Sequence, residues 1–236
     1  MRAGQRCFRS IARLLLATVL ATTIGCANST HAPEAPAVLS SSASPDEALA
    51  LLRQGNARFS RTAMAAKDFS STKRQALVGG QKPFAVIVCC SDSRVPPELV
   101  FDQGLGDIFV VRVAGNVVDP VVLGSVEYGV EHLHCPLVVV LGHQNCGAVQ
   151  AAVDGGPAPA DIQAIVDRIV PSVRRAQSVS SRPSDMTELV VDLNVQNSLN
   201  AIAASPIVSH LVHAGKVRLV GAKYHLDTGQ VNWFAP

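Results

Sequence analysis

Pro83-Phe84-Ala85-Val86-Ile87-Val88-Cys89-Cys90-Ser91-Asp92-Ser93-Arg94 is an apolar run that ends in a thiol, a carboxylate and a guanidinium. Led in by Gly79-Gly80 and Pro83 and rich in Val and Ile, it reads as a buried strand of a parallel sheet. Two further runs of this kind follow, residues 107–115 and 136–143, and a fourth covers 217–224. Helix-length segments separate them, which demands crossover connections and so a parallel sheet. Asp227-Thr228-Gly229 is a turn, and Val231 to Phe234 returns as an antiparallel edge strand. The expected fold is therefore α/β: a mainly parallel sheet with an antiparallel edge, flanked by helices.

The helices announce themselves by their caps. Ser44-Pro45-Asp46-Glu47 combines an N-cap, a first-turn proline and a capping-box acid, and Leu49, Leu52 and Phe59 continue one stripe to about residue 59. Asp119-Pro120 opens a helix to about His132, and Ser205-Pro206 opens one that Gly215 ends. Helices are also expected over 148–153, 161–179 and 184–204, with Pro171 kinking or splitting the second of these. The polar stretch through Gln75 gives no strong signal.

Outside the fold lies a leader. Arg2, Arg6, Arg9 and Arg13 precede an apolar segment, Leu14 to Ile24, and then Gly25-Cys26. That is the layout of a signal peptide, and the segment falls short of the about 20 residues a spanning helix needs. Small residues before Cys26 resemble a bacterial lipoprotein cleavage site, with Cys26 as the lipidated N-terminus, although Thr23 stands where such sites usually carry Leu. Simple secretion and an uncleaved N-terminal anchor are the alternatives. Residues 27–43, rich in Ala, Pro and Ser, read as a tether, leaving 44–236 as one domain in the periplasm or cell envelope.

Composition narrows the function. In 236 residues the formal net charge is only +2 and the basic residues are scattered, so the footprint of a nucleic-acid-binding protein is missing. Six cysteines are too few for a disulfide scaffold of this length. Cys90 follows the first strand, and His143 with Cys146 follows the third, three residues apart at a turn into a helix. Two thiolates and an imidazole select zinc, which takes about four ligands. A fourth position filled by protein makes the site structural, and one left to water makes it catalytic. Strand alternation turns Cys89 away from Cys90, so Cys89 is assigned to the core, as is Cys135.

Cys90-Ser91-Asp92-Ser93-Arg94 with His143-x-x-Cys146-Gly147 resembles the signature of the β-class carbonic anhydrases, and the similarity runs from about Gln81 to Ala148. The resemblance implies a Rossmann-like fold, a homodimer or larger homo-oligomer, and reversible hydration of carbon dioxide to bicarbonate. It implies one zinc per chain on Cys90, His143 and Cys146, with Asp92 and Arg94 as the catalytic dyad. Gln81 matches a residue that binds substrate from across the dimer interface, Phe109 matches an apolar wall of the pocket, and the Gly147 amide is a further donor to substrate. Asp92 becomes a fourth ligand in a closed state of some members. Some bacterial members that switch carry an aromatic residue where this chain has Ile87, so the resemblance implies the open form. Carbonyl sulfide or carbon disulfide hydrolysis on the same zinc, and a zinc-stabilised binding protein, are the competing readings.

Overall fold

The computed structural model describes residues 43–179 and 186–235. The leader, Cys26 and nearly all of the tether lie outside the described residues. Among those described, no helix is long and apolar enough to cross a membrane.

Helix α1 (Pro45–Phe59) starts as its cap predicts: the Glu47 amide donates to Ser44 Oγ, and the Ser44 amide donates back to the Glu47 carboxylate at 2.7 Å. A short helix α2 (Ser71–Leu77) follows, and it buries no residue. Strand β1 (Ala85–Cys89) is fully buried. It leads through α3 (Pro97–Val100) to β2 (Ile108–Arg112), a single 3₁₀ turn (Ala114–Asn116) and α4 (Pro120–Glu131). Next come β3 (Leu137–His143), α5 (Gly147–Asp154), α6 (Ala160–Val179) and α7 (Met186–Ala203). Helix α8 (Pro206–His213), β4 (Arg218–Tyr224) and β5 (Val231–Trp233) complete the chain.

The sheet order is β2-β1-β3-β4-β5, with the first four strands parallel and β5 antiparallel to β4. From β1 the chain moves outward to β2, whereas from β3 it moves the other way to β4. The order therefore reverses between β1 and β3, and a crevice opens at their carboxyl ends, the usual ligand position of an open α/β sheet. Cys89 pairs with Leu141 in that register, so Cys90 and His143 leave adjacent strands at nearly the same level.

Alternation along the strands separates two cores. Ile87, Cys89, Leu137, Val139 and Leu141 face α1, while Val86, Val88, Val138 and Val140 face α4, α7 and α8. Cys89 and Cys135 are both fully buried there, and the Cys135 thiol donates to the Pro83 carbonyl. Gly142 lets α7 approach closely, because a Cβ at that position would stand 2.6 Å from Val195.

The structure fills one stretch left unassigned by its sequence and trims two expectations. Residues 71–77 are helical, which their polar sequence hides. The strand expected over 107–115 ends at Arg112, where the 3₁₀ turn takes over. Pro171 lies inside α6, which runs as one element, so the helix is not split there. The proline sits on the exposed side, where the carbonyl it leaves unpaired meets water, while Val166, Ile169, Val173 and Ala176 hold the buried stripe together. The expected start of α7 at Ser184 lies outside the described residues.

Candidate metal centre

Cys90, His143 and Cys146 converge at the crevice, each buried, with their ligand atoms within 4.8 Å of one another. The two sulfurs are 4.0 Å apart. Tetrahedral zinc with bonds of about 2.3 Å to sulfur needs about 3.8 Å between them, so the pair is already set for the ion. His143 is oriented by Nδ1, which donates to the Gln144 carbonyl at 2.9 Å. Its Nε2 is buried without a hydrogen-bonding partner. An orphaned imidazole nitrogen beside two thiols is costly in a protein interior unless a metal takes its lone pair.

The two thiols push each other's ionisation in opposite directions. A hydrogen bond from Cys146 holds Cys90 well below the usual thiol range, and the same contact, with burial, raises Cys146. Two backbone amides add to the first effect: Gly115 donates to Cys90 Sγ at 3.3 Å and Asp92 at 3.4 Å. Cys146 occupies the N-cap position of α5, where the amides of Ala148 and Val149 favour its anion. Cys90 and Cys146 would hold a divalent cation as two thiolates, with the remaining proton released to solvent.

Asp92 stands next to this set. Arg94 grips it with both forks, Nε to Oδ1 at 2.9 Å and Nη2 to Oδ2 at 2.7 Å, and the Arg94 amide adds a third bond at 2.9 Å. These bonds keep the carboxyl ionised far below its ordinary range. Asp92 Oδ2 lies 3.9 Å from His143 Nε2. Gly147, the first residue of α5, is exposed, with open space around its Cα.

Residues 85–231 match the family model described as carbonic anhydrase. This chain belongs to the carbonic anhydrase family. It is 42% identical over 191 residues to Carbonic anhydrase 2 of Mycobacterium tuberculosis, a match covering 79% of this chain and 91% of the relative. The carbonic anhydrase of Pseudomonas aeruginosa is 33% identical over 191 residues, covering 75% and 84%. Among solved structures, a Coccomyxa β-carbonic anhydrase in complex with acetazolamide superposes with a TM-score of 0.63 at 32% identity, covering 70% of this chain and 78% of that one. A chain of the tetrameric β-carbonic anhydrases of Sordaria macrospora gives 0.65 at 22% identity, covering 69% and 86%, a likeness of fold. The β class and its single zinc site on Cys90, His143 and Cys146 follow from these matches together with the cluster.

Not every sequence-predicted site residue of this carbonic anhydrase meets at the crevice. Gln81 is exposed and precedes Ala85, at the opposite end of β1 from Cys90. Ala85 and Cys90 alone are about 17 Å apart along an extended strand. Phe109 pairs with Val86, four residues before Cys90, and packs on the Tyr128 ring with centroids 6.1 Å apart. Within one chain, neither residue reaches the cluster. Other contributors escaped the sequence reading. Arg112 donates to the carbonyls of Cys90 (3.0 Å) and Asp92 (2.6 Å), tying down the loop that carries both. Glu188 accepts from the Asn145 amide at 2.9 Å, and Asn194 donates to the Gly115 carbonyl at 2.7 Å. The one sequence signal for the last is a polar residue among the buried positions Val190, Val191, Val195 and Ile202 of α7.

Proposed function

We propose that the protein carries out the reversible hydration of carbon dioxide to bicarbonate and a proton, with Asp92 and Arg94 as the working pair beside one zinc on Cys90, His143 and Cys146. The observation that carries this reading is the buried three-ligand cluster at the sheet's switch point, flanked by a carboxylate that a second residue holds in place. Zinc bound there supplies a Lewis acid that brings water into ionising range near neutral pH. Arg94 occupies both oxygens of Asp92, which supports an arrangement in which the carboxylate accepts a hydrogen bond beside the metal rather than ligating it. The Gly147 amide belongs to the first turn of α5, whose donors have no intrahelical partners, and it is suited to an oxygen that gains charge as bicarbonate forms. Stopped-flow hydration of carbon dioxide by the zinc-loaded chain tests this. Cys146→Ser should abolish the activity, and Asp92→Ala should lower it by about 10-fold or more. A wild-type chain with one zinc that accelerates the reaction no more than buffer would overturn the proposal.

The working unit proposed is a homodimer, in which Gln81 and Phe109 of each chain serve the zinc of the other. Support comes from their distance from their own cluster and from apolar surface on the same side of the molecule. Strand β2 is an unpaired sheet edge, α2 buries nothing, and Val121 and Tyr128 of α4 are 76% and 46% exposed. Complementation distinguishes the arrangements. A hybrid of one Gln81→Ala chain and one Cys146→Ser chain regains an intact site only when Gln81 acts across the interface; a hybrid no more active than its parents rules that out.

Export is proposed on the leader alone, with Cys26 as the acylated residue. Metabolic labelling with a palmitate analogue should mark the wild-type chain and not Cys26→Ser, and equal labelling of both would remove the lipoprotein assignment.

A further inference from the structure

The sulfur of Cys90 is held from behind by a turn, and that turn is held by α7. Gly115, at φ 69°, points its amide at Cys90 Sγ. No side chain can replace it easily, since a Cβ there would stand 2.8 Å from Ile169 and 3.2 Å from Ala148. Asn116 follows at φ 45°, so two successive residues adopt the left-handed conformation that L side chains rarely adopt. Such a turn persists only where its surroundings fix it. What fixes it is the polar side of α7: Asn194 Nδ2 donates to the Gly115 carbonyl at 2.7 Å, and one turn later Ser198 Oγ donates to the Asn116 carbonyl at 2.9 Å. Asn194 is 1% exposed and Ser198 2%, in a helix otherwise buried through Val190, Val191, Val195 and Ile202. A buried carboxamide in an apolar stripe is a liability that folding alone does not require.

We propose that Asn194 is a positioning residue for the metal centre, holding Gly115 so that its amide fixes the Cys90 sulfur at the spacing from Cys146 that zinc needs. This rests on the reading of Cys90, His143 and Cys146 as the zinc ligands. Asn194 touches neither metal nor substrate, and its effect passes through one backbone turn. The same helix steadies the other thiol's loop, because Glu188 accepts from the Asn145 amide just before Cys146.

The test uses the full zinc-loaded chain with Asn194→Leu, which fills the space but cannot donate, and Asn194→Ser, whose short hydroxyl turns back to its own helix. Ile202→Ala, two turns further along α7 and fully buried, is the control for loss of helix packing. Two readouts are taken: the rate of zinc release to a chelator, and the thiolate-to-metal charge-transfer bands of the cobalt-substituted protein. Both Asn194 variants should release zinc about 10–100-fold faster and shift or weaken the cobalt bands. Ile202→Ala should stay within about twofold of wild type with unchanged bands. The serine variant, the smaller perturbation, carries the test if the leucine variant does not fold. Wild-type release rates and bands in the Asn194 variants overturn the proposal, as does an Ile202→Ala chain that matches them. A wild-type chain that takes up no zinc overturns the ligand assignment as well, so the two failures are distinguishable.

Discussion

Asp102 is the most demanding charge in the fold outside the metal centre, and its removal gives a signed prediction. The side chain is wholly buried and sits at φ 50° just after α3. It accepts from Arg58 of α1, from Lys67 at 2.6 Å and from the Ala65 amide at 3.2 Å, so one carboxylate joins α1, the loop before α2 and the end of α3. Burial alone raises its pKa, but the bonds from Lys67, Arg58 and Ala65 outweigh this, and the net direction is down. Breaking a buried pair by removing one partner costs about 3–5 kcal/mol. The low end applies here, because Arg58 and Lys67 keep 26% and 11% of their side-chain surface and can turn to water. Asp102→Asn should thus lower stability by about 3 kcal/mol at pH 7. With a urea dependence of about 2 kcal/mol per molar, the unfolding midpoint should fall by about 1.5 M. A carboxylate depressed in the folded state contributes fully above its unfolded pKa of about 3.9 and loses that contribution as pH falls through the folded value. The gap between wild type and Asp102→Asn should therefore be flat from pH 8 to about 5 and close below pH 4. Taking the difference at equal zinc and protein concentration cancels the acid release of metal. A gap that widens on acidification, or one below about 1 kcal/mol at pH 7, would refute the reasoning.

Gly115→Ala must both adopt a positive φ and push against Ile169, so it should destabilise by about 2–4 kcal/mol. Adding Ile169→Val should recover part of that loss, as a double-mutant cycle by urea unfolding will show. Gly142→Ala drives a methyl to within 2.6 Å of Val195 and should lower stability by about 1–3 kcal/mol in the same assay. Pro171→Ala should instead stabilise, by about 1–3 kcal/mol, because it restores a helix hydrogen bond at an exposed position and disturbs no packing; unchanged thermal unfolding would contradict this.

The elements most legible in the sequence were those whose signal is local. Helices α1, α4 and α8 each open on a Ser or Asp cap followed by proline, and the caps form as read. Strands β1 and β3 are continuous apolar runs because both faces of the sheet are covered, and all their residues are buried. Helices α2 and α3 were missed for the converse reason: the first buries nothing, so it has no stripe, and the second is a single turn. The ligands were legible because each directly follows or ends a strand or enters a helix. Their supports were not, because Arg112, Glu188 and Asn194 act on backbone groups 20 to 79 residues away. Asp102 was illegible for the same reason, because its partners Arg58 and Lys67 lie more than thirty residues earlier in the chain.

This division between local and distant determinants bears on how the metal centre holds its shape. Cys90 and His143 leave adjacent parallel strands whose register is fixed by a ladder buried on both faces, so the sheet sets their relative height and a change in one strand carries both. Cys146 is set differently, by a turn at φ 54° for Asn145 and by the start of α5. The distance between the two sulfurs thus depends on how helices and loops pack onto the sheet's carboxyl edge, and not on the strands alone. Helix α7 is placed to govern that distance, since it lies against β3 at Gly142 and bonds to the turn behind Cys90 and to the loop before Cys146. Substitutions in the strands should therefore act mainly on stability, whereas substitutions on the polar side of α7 should alter metal retention out of proportion to their effect on folding.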